Sequence, residues 1–157
     1  MGTDRHITYK GKVIANCGRM IIDIPGKPIA KARPRFYRRG KFIGTYNSQQ
    51  TEEGKFLLMC HDQITGPPIE GPVSMRIVFY IPRPKSHYGT GKNADKLKPG
   101  APDWPARRPD IDNMEKFVAD CLNGIAWKDD SQICISITSK MWDRGQGRTH
   151  ITIEELT

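Results

Sequence analysis

Two acidic segments hold the residue types that could do chemistry. One is Arg108-Pro109-Asp110-Ile111-Asp112-Asn113-Met114-Glu115-Lys116. The other is Trp127-Lys128-Asp129-Asp130-Ser131-Gln132. Asp110, Asp112, Glu115, Asp120, Asp129 and Asp130 all fall between positions 110 and 130 of a chain that is otherwise basic. Phosphate would be repelled by such a knot, unless a divalent cation sits between carboxylates and phosphate. On a helix, Asp112, Lys116 and Asp120 stand at i, i+4 and i+8 and share one face. Asp110 is placed to cap the helix start. Carboxylates at a helix N-terminus stay ionised, because the free N–H groups and the dipole favour negative charge. Ionised carboxylates are what Mg²⁺ or Mn²⁺ requires.

An Asp-x-Asp pair alone also fits a simple N-cap with a solvated helix end. The second segment tips the balance. It follows the helix, and a short loop with an adjacent strand could return Asp129 or Asp130 to the helix face. Three carboxylates from two elements, with a lysine, make a candidate metal-dependent phosphodiesterase site.

The elements that position these residues follow from periodicity. Met114, Phe117, Val118, Cys121, Leu122 and Ile125 form an apolar stripe, which predicts a helix from about Asp110 to Leu122, stopped by Asn123-Gly124. Residues 20–24 (MIIDI) predict a strand ending at Pro25-Gly26. Ser48 to Gln63 predicts a helix, with Ser48 as N-cap and Phe56, Cys60 and Ile64 on its apolar side. Val73 to Ile81 alternates strictly and predicts the strongest strand. Ile133, Ile135 and Ile137 predict another. The turn Arg144-Gly145-Gln146-Gly147 then leads to a last strand, Thr149 to Ile153, expected to pair with its predecessor as a hairpin. The predicted order is β-α-β-α-β-β. It gives an α/β single domain, a mixed β-sheet with two packed helices. The expected domain spans residues 1–157, with 1–18 as an N-terminal extension and 83–108 as a basic Pro/Gly-rich loop insertion.

Charge gives an independent line of argument. The 157 residues carry 25 Lys and Arg against 17 Asp and Glu, a net charge of +8. A surplus of this size suits a polyanionic partner, most often nucleic acid, although a solubilising surface would also use it. Ile24 to Thr51 contains no acid but holds Lys27, Lys31, Arg33, Arg35, Arg38, Arg39 and Lys41. Arg83 to Arg108 holds seven more basic residues against Asp95 and Asp103. Both segments read as loops. Their aromatics (Phe36, Tyr37, Tyr46, Tyr88, Trp104) suit base stacking beside phosphate contacts. For Gly89 to Gly100 a solvated, disordered loop is the alternative.

Several classes are set aside. No apolar run approaches the roughly 18 residues a membrane span needs. Residues 1–12 lack the apolar stretch of a secretory signal. Cys17, Cys60, Cys121 and Cys134 form no CxxC pair and no ligand spacing with the four histidines, so reduced cysteines are expected rather than zinc or disulfides.

The string RPDIDNMEKFVADCLNG, followed by WKDDSQI, resembles the RusA-type Holliday-junction resolvase family of phages and prophages. So does the early IPGKPIAKARPRF. The resemblance covers residues 20 to 154. It implies a RusA-like fold and a Mg²⁺-dependent endodeoxyribonuclease that resolves four-way DNA junctions by paired symmetric nicks. The family's metal-binding carboxylates fall on Asp110, Asp112 and Asp130, and its essential lysine on Lys116. Asp120 and Asp129 match positions of less settled role; Asp120 could join the metal shell or pair with Lys116. The link between helix and W-x-D-D segment is shorter here than in compact members, which leaves the choice between Asp129 and Asp130 open. The 83–108 insertion resembles one in larger phage-type members. The resemblance also implies a homodimer in the cytoplasm of a bacterium or an infected host. Lys31, Arg33, Arg35, Arg38, Arg107 and Arg108 are the expected DNA contacts, generic surface charge being the alternative for each.

Rival functions are a broader structure-selective nuclease on forks, flaps or RNA–DNA hybrids, a non-catalytic branched-DNA-binding module, and a basic RNA-associated protein. The complete Asp110, Asp112, Lys116 and Asp130 set argues against the second. The absence of an RNP-like aromatic motif argues against the third. Recombination, fork repair and clearing branched DNA before packaging all remain open.

Overall fold

The computed structural model describes residues 8–9, 12–13, 18–32, 35–46 and 48–157. Its centre is a four-stranded mixed sheet with two helices against it. The elements are β1 (Thr8–Tyr9), β2 (Lys12–Val13), β3 (Arg19–Pro25), β4 (Arg35–Arg39), β5 (Phe42–Tyr46), α1 (Gln50–His61), β6 (Val73–Pro82), α2 (Ile111–Leu122), β7 (Ile133–Asp143) and β8 (Arg148–Glu155). β1 and β2 form a separate two-stranded ribbon, as do β4 and β5.

The alternation of Val73, Met75, Ile77, Phe79 and Ile81 gives β6 one buried face, and the strand takes an inner position. The sheet order is β3-β8-β6-β7. β8 runs antiparallel between β3 and β6, while β7 lies parallel to β6 at the edge. The expected β7–β8 hairpin therefore does not form. The burial patterns explain the outcome. β8 buries Thr149, Ile151, Thr152 and Ile153, which suits an inner strand, whereas β7 has no buried residue and Ile137 and Met141 lie exposed. An edge suits β7 and would leave β8 half-covered.

α2 buries Met114, Phe117, Val118, Cys121 and Leu122, as its stripe predicts. Ile125 lies beyond the helix end and is exposed. α1 buries only Phe56 and Cys60 and leaves Leu58 exposed. The two helices meet edge-to-face through Phe56 and Phe117, with centroids 5.4 Å apart. Gln49, not Ser48, occupies the N-cap of α1, and its side chain makes no capping bond. Instead it clips the preceding segment: its Oε1 accepts from Ala32 N–H and its Nε2 donates to Ala30 O.

Two segments expected to be loops are ordered. Residues 35–46 form the β4–β5 ribbon, turning at Gly40, whose φ of 63° suits glycine. The connection from β6 to α2 is pinned by a bridge between Tyr88 and Leu97 and by a bond from Lys98 N–H to His87 O. Trp142 is half-buried beside it, donating to Pro102 O and stacking edge-on with His87. Cys60, Cys121 and Cys134 are free thiols, and Cys17 lies outside the described residues.

Candidate active site

α2 begins immediately after the long connection, so its first turn is held by whatever holds that connection. Lys140 of β7 does this. Its Nζ donates to Arg107 O at 2.9 Å and to Pro109 O at 3.1 Å. The Arg108–Pro109 peptide between these carbonyls is cis. Asp110 sits at the N-cap with an extended backbone, but its carboxylate makes no capping bond. It is exposed, as are Asp112 and Lys116. The carboxylates of this helix start are thus turned to solvent rather than used to close the helix.

Asp120, two turns further on, does not pair with Lys116. Its Oδ2 lies 3.1 Å from Lys31 Nζ, which also donates to Glu53 Oε1 at 2.9 Å. The Lys31 backbone N–H donates to Asn113 O at 2.8 Å. Lys31 therefore ties the N-terminal basic segment to α1 and α2 at once. Burial pulls the Lys31 pKa down, but its bonds and charges with Glu53 and Asp120 outweigh this and raise it above the usual lysine value. A cation already shared by two carboxylates has little left for a phosphate, which argues against the expected DNA contact at Lys31.

The second acidic segment lies elsewhere. Asn123 and Trp127 are bridged at the C-terminal end of α2, and Trp127 is fully buried there. Trp127 Nε1–H donates to Asp130 Oδ1 at 2.7 Å. Asp129 caps the short turn ahead of β7: its carboxylate accepts from Ser131 N–H, while Gln132 Oε1 accepts from Asp129 N–H. Those bonds to Ser131 hold the Asp129 carboxyl below the usual range. Gln132 Nε2 donates in turn to Ile69 O and Gly71 O, just ahead of β6.

Asp130 therefore stands at the opposite end of α2 from Asp110 and Asp112. The 12-residue helix spans about 18 Å. β7 runs roughly 23 Å from Ile133, next to the Asp130 turn, to Lys140, which holds the helix start. Among the described residues no three His, Cys, Asp or Glu side chains stand close enough to hold a metal ion. The short loop does not return Asp129 or Asp130 to the face of Asp112, because in a β-α-β crossover the helix runs back along the sheet before the second strand starts.

Arg35, Arg38, Arg107 and Arg108 are exposed, Arg38 bonding back to Gly40 O, and Arg33 lies outside the described residues. Residues 30–32, which precede the ribbon in the chain, are clipped to Gln49 and to Asn113 of the first turn of α2. Sequence reasoning missed Lys140 and Gln49, and it named Glu115 without a role. The Glu115 carboxylate accepts from Ser136 and Thr138 hydroxyls of β7 and fixes the rotation of α2 on the sheet. The alternation of Ser136 and Thr138 along the strand was the available signal for that contact.

The exposed acidic start of α2, preceded in the chain by exposed Arg107 and Arg108, stands at one end of the mixed sheet. The sequence matches the family described as Endodeoxyribonuclease RusA over residues 25–154, and the chain belongs to that family. Membership implies endodeoxyribonuclease activity on branched DNA. A Bacillus subtilis (strain 168) protein, "Uncharacterized protein YqaN", is 32% identical over 137 residues, covering 84% of this chain and 93% of the relative. No helix among the described residues is long and apolar enough to cross a membrane.

Proposed function

We propose that this chain is a Mg²⁺- or Mn²⁺-dependent Holliday-junction resolvase that makes paired nicks at Asp110 and Asp112. The observation that carries the reading is the pair of exposed carboxylates at the start of α2, free of capping duty and neighboured by exposed Arg107, Arg108 and Lys116. The donor chemistry fits. Mg²⁺ takes hard oxygens, commonly one or two carboxylates, with water and substrate phosphate completing its shell. Bound there, the ion would polarise the scissile phosphate and acidify the attacking water. Arg107 and Arg108 hold the phosphodiester backbone, and Lys116 either neutralises charge developing on the phosphate or orients the water.

The reading includes a homodimer. A four-way junction has approximate two-fold symmetry, and two matched nicks call for two symmetry-related sites. The separation of Asp130 from Asp112 within one chain supports it further. A second copy can present its Asp130 to the Asp110–Asp112 pair of the first and complete each site. The test is cleavage of a labelled four-way junction against matched duplex and flap, with and without Mg²⁺, by the unmodified chain and by Asp112→Asn. Metal-dependent cleavage lost in the variant supports the reading. Unchanged cleavage by the variant sinks the site.

A further inference from the structure

We propose that Trp104 is a stacking platform for an unstacked base at the branch point of the DNA, an inference resting on the branched-DNA reading above. Trp104 is 65% exposed, unusual for an indole. Its backbone is nonetheless held on both sides. Ahead of it, Pro102 O accepts from Arg83 Nη1 at 3.1 Å and from Trp142 Nε1 at 3.0 Å. Behind it, Ala106 N–H donates to Trp104 O, and Lys140 grips the Arg107 carbonyl. Pro105, next in the chain, is buried and roots the segment. A large apolar ring on a fixed stalk costs little entropy to dock.

The position selects the occupant. Trp104 lies in the connection that delivers Arg107, Arg108 and then Asp110, at the end of the sheet where α2 begins. The connection is strongly basic, with Arg83, Lys85, Lys92, Lys96, Lys98, Arg107 and Arg108 against Asp95 and Asp103. An exposed aromatic ring in a basic segment, with Arg107 and Arg108 three and four residues further along the chain, suits a nucleobase flanked by phosphates. In intact duplex every base face is already covered by its neighbours, so such a platform contributes only where stacking is broken. A branch point is such a place. The platform would therefore add preference for branched over linear DNA without touching the chemistry.

The experiment uses the full chain and an immobile four-way junction carrying 2-aminopurine at the branch, beside a matched duplex, in EDTA so that nothing is cut. Trp104→Ala should weaken junction binding by about tenfold, leave duplex binding unchanged, and abolish the 2-aminopurine response; Trp104→Phe should restore most of each. Equal effects on junction and duplex, or none, overturn the inference. So does a loss of dimer in sedimentation of Trp104→Ala, which would mean that a second copy covers the ring. Cleavage with Mg²⁺ is scored separately. Junction binding with the Trp104 signature but no cutting would sink the nuclease reading alone, and full cutting with junction binding unaffected in Trp104→Ala would sink the platform alone.

Discussion

Lys31 Nζ lies 3.1 Å from Asp120 Oδ2 and so joins the acid-free N-terminal segment to the helix that carries Asp112. Glu53 of α1 shares the same ammonium at 2.9 Å. Replacing Lys31 by Met should cost about 1–2 kcal/mol, between the values for exposed and buried ion pairs, because all three side chains are about a quarter to a third exposed. Urea unfolding measures it. The folded pKa of Lys31 is raised, so its contribution is full below the usual lysine pKa and fades as pH rises through the folded value. The difference between wild type and Lys31→Met should therefore persist at neutral pH and shrink at strongly alkaline pH.

The same geometry separates Lys31 from the arginines as a DNA contact. Arg107→Gln and Arg108→Gln should each reduce the slope of log affinity against log salt by about 0.9, one phosphate's worth. Lys31→Met should leave the slope unchanged. A slope that drops in Lys31→Met would show that its carboxylates release it to the DNA.

Asp130 and Asp112 at opposite ends of α2 make a prediction about subunits. Asp112→Asn and Asp130→Asn should each be inactive alone. Mixed after subunit exchange, they should recover about a quarter of the wild-type sites, since a heterodimer then holds one site with both native aspartates. No recovery would place all the carboxylates of a site in one chain.

The thiols offer a check on the core. Burial, then the neighbouring Cys121, pushes the Cys60 thiol up to about 12. Burial, then the Glu53 charge, pushes Cys121 up to about 12, with Lys31 pulling the other way. Thiolate is the reactive form. Iodoacetamide at pH 8 should modify exposed Cys134 and spare Cys60 and Cys121 until urea is added, as peptide mass mapping would show. Labelling of Cys60 at the rate of Cys134 would contradict this packing.

How far the sequence reveals this molecule depends on the range of each signal. The stripe from Met114 to Leu122 and the alternation from Val73 to Ile81 are local periodicities, and both elements lie where those patterns put them. Arg35 to Arg39 has no such alternation, so β4 was hidden in a run of charge. Strand order was hidden for a different reason. β7 and β8 are neighbours in sequence, yet they flank β6 on opposite sides, and which of them lies inside the sheet follows from total burial rather than from either strand alone. Lys31 looked like any other basic residue of its segment because its partners are 22 and 89 positions away. Asp130 was legible as a family position, but its distance from Asp112 follows from the crossover, which spacing along the chain does not encode.

The most direct measurement is strand cleavage on the four-way junction, with Mg²⁺ as the variable and Asp112→Asn as the control. The account predicts symmetric nicks in opposing strands, dependent on the cation, absent from matched duplex, and lost in Asp112→Asn while junction affinity holds or rises, since one negative charge is removed. Junction binding without cleavage under Mg²⁺ or Mn²⁺, or cleavage that survives in Asp112→Asn, would contradict it.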